Sequence, residues 1–233
     1  MGRIFDCSDA ETREAGLQQA ISTVKDGRLV VIPTDTLYGI GCDAFDNTAV
    51  AKLLETKHRG PDMPVPVLVG SWDTARGLVH SYSDQLRTLI EAFWPGGLSI
   101  VVEQAPSLQW NLGDTRGTVM LRMPLHPVAI ELLRETGPMA VSSANISGQT
   151  PPTTAQEAQR QLSDNVSVYL DAGETPVGTA STIIDLSGDH PRILREGAIS
   201  AERVAEVLEA TWRRFDRWVL VPVLPVCLCV SLH

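Results

Sequence analysis

Apolar residues recur at helical spacing in some segments of the chain and form short continuous runs in others. The first segment predicts a helix that a capping box at residues 8–11 opens and Gly27 ends. One face of this helix carries four apolar residues: Leu17, Ala20, Ile21 and Val24. The apolar run at residues 29–32, closed by Pro33, is typical of a buried strand.

The same alternation continues along the chain. Helices are predicted from the N-cap Asn47 to about residue 57, from the N-cap Ser83, from Pro127 at a first-turn position, after a second capping box at residues 153–156, and from Ser200. Strands are predicted at residues 98–102, 118–123, 139–142, 166–170 and 182–186. Helices interleaved with apolar strands indicate a layered α/β fold in one domain, residues 1–214.

An apolar tail follows this domain at residues 215–233. Residues 218–232 are almost wholly apolar, but Pro222 and Pro225 interrupt them. The run is shorter than the roughly 20 residues that a membrane-spanning helix needs. The tail is therefore predicted to be dispensable for catalysis and to pack on its own domain or in a homodimer, with a shifted reading frame as the alternative.

The overall charge restricts the class of partner. The chain of 233 residues has 19 Lys and Arg against 28 Asp and Glu, which gives a net charge of −9. Such a chain is a poor general ligand for nucleic acids, so basic groups that matter must converge on a pocket. Four cysteines without paired spacing, and a short mixed N-terminus, favour the cytoplasm and exclude a disulfide framework.

Two polar segments in the first third of the chain are candidate ligand sites. Residues 33–41 place two hydroxyls around a carboxylate, followed by glycines that would let the backbone approach a ligand; an ordinary turn is the alternative. Lys57 and Arg59 leave a predicted helix into a Gly/Pro loop. They suit either a polyphosphate or simple capping of the helix C-terminus.

Two further polar segments lie later in the chain. Residues 142–148 offer small hydroxyls and an amide after a strand, and residues 178–182 are followed by Arg195. The chain has no phosphate-binding glycine loop of the common types, no zinc spacing and no hydrolase elbow. Ser143 is therefore a poor covalent nucleophile, and no protein metal ligand is predicted.

Seven motifs occur in one order along residues 10–205: PTDTLYGIG at Pro33, KHR at Lys57, FWPGGLSIVV at Phe93, LRMPLHP at Leu121, SSANISGQTPPT at Ser142, GTASTIIDL at Gly178 and ILREGAI at Ile193. In this order they resemble the threonylcarbamoyl-AMP synthase family, of the YrdC/YciO type. One such motif is weak, but seven in order are specific.

The resemblance implies a three-layer fold around a twisted mixed sheet with a concave basic cavity. It implies a nucleotidyltransferase that forms threonylcarbamoyl-AMP and pyrophosphate from L-threonine, bicarbonate and ATP, with Mg²⁺. The product would pass to the tRNA threonylcarbamoyl transferase machinery, which modifies adenosine 37. Strong direct tRNA binding is not expected.

The resemblance also assigns roles to residues. Lys57, Arg59, Ser143 and Asn145 would form the catalytic tetrad beside ATP, and Thr118 and Arg195 would contact the nucleotide. The pocket for L-threonine would hold Arg122 against the substrate carboxylate, with the hydroxyls of Thr34, Thr36 and Ser181.

The match has departures and competing interpretations. Gly60 and the pair Pro64-Val65 replace residues common in relatives, and Leu68 stands where some members have a histidine. The departure at Leu68 puts one polar contact to threonine in doubt, and with it the strictness for that amino acid. An RNA-binding module and a carbamoyl-adenylate domain of the hydrogenase-maturation type remain the alternatives.

Overall fold

A single mixed β-sheet forms the centre of the molecule. The computed structural model describes residues 2–60 and 62–219, with only the backbone for residues 211–219. Within this part of the chain the sheet has ten strands in the order β1-β8-β2-β3-β7-β4-β6-β5-β9-β10. The strands are β1 (Arg3–Asp6), β2 (Val30–Ile32), β3 (Gly39–Asp43), β4 (Val67–Leu68), β5 (Leu98–Glu103), β6 (Thr118–Arg122), β7 (Met139–Ser143), β8 (Val168–Asp171), β9 (Thr182–Asp185) and β10 (Arg192–Arg195).

Helices cover both faces of this sheet. One hydrophobic cluster joins α1 and α5 to one face, and a larger cluster joins the other helices to the opposite face. The three-layer α/β fold predicted from the sequence is therefore confirmed. The helices of the described residues are α1 (Ala10–Lys25), α2 (Asn47–Thr56), α3 (Trp72–Leu78), α4 (Asp84–Phe93), α5 (Pro127–Thr136), α6 (Ala155–Leu162) and α7 (Ala201–Val219).

Helices α1 and α5 cover only part of the sheet face on which they pack. Their apolar residues pack against β1, β8, β2 and β7. Further along the same sheet face, side chains from β6, β5 and β9 line a cavity: Met120, Arg122, Ser99 and Ile183. A sheet wider than its helical cover thus leaves a concave surface at one side, and this surface positions the candidate site.

Three helix starts differ from the sequence prediction by one residue. Asp9, not Ser8, caps α1, since its side chain accepts the amide of Thr12 at 2.8 Å. Asp46 rather than Asn47 caps α2, and Thr154 caps α6. In each case a neighbouring residue has the extended backbone and a suitable side-chain oxygen, so composition alone did not identify the cap. The caps predicted at Ser83 and the first-turn Pro127 are confirmed.

Five elements were not predicted from the sequence: β1, β3, β4, α3 and β10. The strand β3 includes Gly39 and Gly41, which sequence analysis placed in a segment that is either a ligand site or an ordinary turn. These strands are short or rich in glycine, and pairing with neighbouring strands holds them in the sheet. Strand preference depends on such tertiary contacts more than helix preference does.

The two glycines of β3 serve packing within the sheet. A Cβ atom on Gly39 would lie 2.6 Å from Cγ1 of Val141, and one on Gly41 would lie 2.7 Å from its Cγ2. Both glycines therefore make room for the valine of the neighbouring strand β7. Gly39 also lines the cavity, so its close approach to a ligand stays a prediction.

We expect Gly39→Ala to lower the free energy of unfolding by about 1–3 kcal/mol, because the new methyl overpacks Val141. Chemical denaturation measures this loss. Adding Val141→Ala should remove most of the clash, so the double variant should be little worse than Val141→Ala alone. Gly77→Ala in α3, where nothing lies within 4 Å of the new atom, is the matched control. If the loss of stability in the double variant equals the sum of the losses in Gly39→Ala and Val141→Ala, this explanation is contradicted.

The last helix extends past the predicted domain boundary. Helix α7 runs to Val219, so residue 214 lies inside it. Residues 220–233, most of the predicted apolar tail, lie outside the described residues, and their dispensability stays a prediction. In the described part of the chain no helix is both long enough and apolar enough to cross a bilayer.

Candidate active site

A cavity of about 520 Å³ opens on the uncovered part of the sheet. Its wall combines an apolar floor with four cationic side chains that come from three distant parts of the chain. The floor includes Leu68, Met120, Val141 and Ile183. The cations are Lys57, Arg59, Arg122 and Arg195.

Lys57 is almost fully buried, at 2% exposure, where helix α2 ends. Its ammonium donates to the carbonyl oxygen of Ser143 and to that of Asn145, the latter at 2.6 Å. One of its three N–H groups is left for a ligand. Burial, and then repulsion from Arg59, lower the pKa of Lys57 to about 8.

Arg59 and Arg195 lie on the cavity wall with part of their hydrogen-bonding capacity used. Arg59 Nη1 donates to Ser142 Oγ at 3.0 Å. Arg195 donates from Nε and Nη2 to the carbonyl oxygen of Ser181. Burial lowers the pKa of Arg195, and repulsion from Arg59 lowers it further. The two guanidinium groups therefore act on one another, as expected for a site that receives a polyanion.

Asn145 presents an acceptor without a partner. Its Nδ2 donates to the carbonyl oxygens of Ile146 and Gln149 at 2.9 and 2.8 Å, which fixes the orientation of the amide. Among the described residues its buried Oδ1 accepts no hydrogen bond. Since the residue lines the cavity at 6% exposure, this oxygen is available to a ligand donor or a cation.

Arg122 is held by three hydrogen bonds within the protein. Its Nε donates to Gly96 O at 2.9 Å, Nη1 to Thr36 Oγ1 at 2.8 Å and Nη2 to Asp35 Oδ1 at 2.6 Å. The sequence predicted a substrate carboxylate as the partner of Arg122, and the structure shows that Asp35 is already a buried partner within the protein. Two of the five guanidinium N–H groups are unused by these contacts. Burial lowers the pKa of Arg122.

The hydroxyls of Thr34 and Thr36 close the turn after β2. Thr34 Oγ1 donates to the carbonyl oxygen of Leu37 at 2.6 Å and accepts the amides of Thr36 and Leu37 at 3.2 Å. It also lies 3.1 Å from Thr36 Oγ1. Thr34 is thus occupied by local bonds, whereas Thr36 retains acceptor capacity beside Arg122.

Nine of the ten predicted site residues line this one cavity: Thr34, Thr36, Lys57, Arg59, Arg122, Ser143, Asn145, Ser181 and Arg195. The tenth, Thr118, is not among the lining residues, and its hydroxyl donates to Thr115 O at 2.7 Å. Its contact with ATP stays a prediction. Sequence analysis missed Asp35 as the partner of Arg122. It also missed Ser99, the one polar residue in the apolar run of β5 before Glu103.

A metal ion would find little coordination from the protein alone. The described residues contain no group of three or more His, Cys, Asp or Glu side chains able to hold one. Asn145 Oδ1 is a buried oxygen without a partner among the described residues at the cavity, and an amide oxygen is a suitable single ligand for Mg²⁺. These residues therefore fit an ion that enters with a polyphosphate and keeps mostly phosphate and water ligands.

Comparison with known families and proteins identifies the family of this chain. The model of the Sua5, YciO and YrdC family, described as "Telomere recombination", matches residues 22–197. The chain belongs to this family, and the resemblance predicted from the seven motifs is confirmed.

Named relatives are similar over nearly the whole chain. A putative threonylcarbamoyl-AMP synthase of Mycobacterium tuberculosis is 65% identical over 208 residues, which are 89% of this chain and 96% of the relative. A threonylcarbamoyl-AMP synthase of Bacillus subtilis is 33% identical over 202 residues, which are 86% of this chain and 58% of the relative. The P. abyssi Sua5 structure in complex with L-threonine superposes with a TM-score of 0.82 at 31% identity, covering 88% of this chain and 60% of that one.

Proposed function

We propose that this chain is a threonylcarbamoyl-AMP synthase that forms threonylcarbamoyl-AMP and pyrophosphate from L-threonine, bicarbonate and ATP. The observation that carries the proposal is the convergence of four cations and one unpartnered amide oxygen on a single cavity. The identity of 65% to a relative bearing that name supports the same reaction. In chemical class the enzyme is a nucleotidyltransferase, because it transfers an adenylyl group.

The triphosphate would occupy the part of the cavity near Lys57, Arg59 and Arg195. The one ammonium N–H of Lys57 that is free of carbonyl partners, and the unused N–H groups of the two arginines, can reach phosphate oxygens. Mg²⁺ bound with ATP would add positive charge at the departing phosphates, with Asn145 Oδ1 as its protein ligand. Positive charge arranged in advance stabilises the charge that develops on the leaving group.

L-Threonine would bind beside Arg122. The two unused N–H groups of this guanidinium suit a carboxylate, and Thr36 and Ser181 place hydroxyls nearby. Asp35 fixes the plane of the guanidinium through Nη2, so the substrate meets a preformed donor pair. The apolar floor at Leu68 and Val141 can take the methyl group of the side chain.

The reaction needs positioning more than a protein nucleophile. The amino group of threonine first attacks the carbon of bicarbonate and water leaves, which gives a carbamate. A carbamate oxygen then attacks the α-phosphorus of ATP. The new O–P bond forms as the bond from the α-phosphorus to the bridging oxygen breaks, and pyrophosphate leaves with that electron pair. Holding the carbamate and the triphosphate in one cavity replaces an encounter of two dilute reactants.

The product would supply the machinery that places a threonylcarbamoyl group on adenosine 37 of tRNA. We place this reaction in the cytoplasm, with ATP, L-threonine and bicarbonate as partners. A net charge of −9 agrees with weak direct tRNA binding. We also propose that the chain forms a homodimer.

A pyrophosphate-release assay tests the proposed function. The purified chain is incubated with ATP, Mg²⁺, bicarbonate and a panel of amino acids, and the adenylate is identified by mass spectrometry. We expect turnover with L-threonine that disappears when bicarbonate is removed. An RNA mobility shift in parallel tests the RNA-binding alternative. Absence of threonine-dependent pyrophosphate, or tight RNA binding without turnover, would reject the proposal.

A further inference from the structure

Ser99 is a buried hydroxyl on the cavity wall to which the family resemblance gives no role. It lies in β5 at 2% exposure, and its neighbours Leu98 and Ile100 point into the core on the other face of the sheet. Its Oγ lies 2.9 Å from the Oγ of Ser181, and both residues line the cavity. A buried serine in an otherwise apolar run needs a polar partner, and Ser181 is the one it has among the described residues.

Ser181 receives a second hydrogen bond from Arg195. Nη2 of Arg195 lies 3.2 Å from Ser181 Oγ and donates to it, while Nε and Nη2 also hold the Ser181 carbonyl oxygen at 3.1 and 2.7 Å. When Ser99 also donates to Ser181 Oγ, both lone pairs of that oxygen are occupied. The hydrogen of the Ser181 hydroxyl then has one direction left, and no described residue accepts it.

The relative exposure of the two serines indicates which hydroxyl reaches the ligand. Ser181 is 8% exposed and Ser99 is 2% exposed, so Ser181 lies nearer the open space. An oxygen that accepts from a guanidinium and a hydroxyl also becomes a stronger donor, because hydrogen bonds in a chain polarise one another. The arrangement therefore directs one strengthened O–H donor into a cavity lined by cations.

We propose that Ser99 is a positioning residue that, together with Arg195, orients the Ser181 hydroxyl to donate to an anionic oxygen of the bound amino-acid substrate. This inference rests on the proposed function for the identity of that substrate. It adds a residue that acts through Ser181 and does not itself contact the ligand.

A double-mutant cycle in the full chain tests the proposal. Threonine KM, ATP KM and kcat for pyrophosphate release are measured for wild type, Ser99→Ala, Ser181→Ala and the double variant. We expect Ser181→Ala to raise the threonine KM about 10-fold or more, as for a hydrogen bond to a charged group, and Ser99→Ala to raise it less. In Ser99→Ala, which leaves Ser181 and Arg195 in place, the ATP KM and kcat should stay within about 2-fold of wild type.

The cycle distinguishes a positioning role from an independent one. Because Ser99 acts through Ser181, removing Ser99 from the Ser181→Ala protein should change the threonine KM by less than about 2-fold. Ser99→Cys, similar in size but a weak donor, should behave like Ser99→Ala. Thr23→Val removes a buried hydroxyl of α1 that is bonded only to Gln19 O, so it controls for loss of stability alone.

Three results would overturn the proposal: a normal threonine KM in Ser99→Ala, equal rises in the KM values for threonine and ATP, or losses that multiply in the double variant. A wild-type chain without threonine-dependent turnover would reject the proposed function and this inference together. An active wild type with any of the three results would reject the Ser99 role alone.

Discussion

Arg122→Met is expected to unfold at lower denaturant concentration and to lose threonine-dependent pyrophosphate release. The substitution leaves Asp35 buried with its backbone donor Leu125 but without its ionic partner, at 6% exposure. Breaking a buried pair by removing one partner costs about 3–5 kcal/mol of stability. Binding of L-threonine, measured by calorimetry, should fall below detection, because the proposed carboxylate donors are gone.

A second variant separates the two losses. Adding Asp35→Asn to Arg122→Met removes the uncompensated charge, so much of the stability should return while threonine binding should not. Arg192→Met, which removes an exposed partner of Asp185, is the matched control and should change neither property measurably. Normal threonine affinity in the folded double variant would remove Arg122 from the substrate pocket.

Lys57→Met is expected to reduce kcat/KM for ATP by about 100-fold or more, the loss typical of a donor aimed at developing charge. Lys57 also holds the carbonyl oxygens of Ser143 and Asn145, two contacts that the sequence did not predict. Stability should therefore fall too, by about 1–3 kcal/mol for each buried acceptor left unsatisfied. Arg59→Ala should lose activity with a much smaller effect on stability, since within the described residues its guanidinium donates to the Ser142 hydroxyl and to no buried carbonyl. Wild-type turnover in both variants would reject the phosphate site.

The pH dependence of ATP binding tests the same ammonium group. Burial lowers the pKa of Lys57 from 10.5 to about 8, so its charge is lost as the pH rises through about 8. ATP affinity of the wild type, measured by calorimetry, should then decrease above pH 8, and that of Lys57→Met should be less dependent on pH. The unfolded chain binds the proton of this group more tightly than the folded chain does. The contribution of Lys57 alone should therefore raise the free energy of unfolding as the pH increases from about 8 to 10.5. A decrease that is identical in both proteins would assign the titration to another group.

Much of the architecture could be predicted from local patterns. Helical spacing identified α1, spacing together with the N-terminal signals at Ser83 and Pro127 identified α4 and α5, and apolar runs identified β2, β5, β6 and β7. The predictions failed where the local signal was weak, as in the two-residue strand β4 and in β3 with its two glycines. Gly39 and Gly41 are in a strand because Val141 of β7 fills the space above them, a contact that no short window of sequence contains.

The sequence by itself determined the alternation of helices and strands and the kind of chemistry, since caps, periodicity and the cationic and hydroxyl residues are properties of neighbouring positions. Only the tertiary structure decided which partner each functional residue has. Arg122 meets Asp35 across 87 positions, and Ser99 meets Ser181 across 82. Such pairs depend on the spatial order of the ten strands in the described sheet and on which part of a sheet face the helices leave uncovered. Those outcomes arise from packing the whole chain at once, so the residues that orient the site became visible only in the folded molecule.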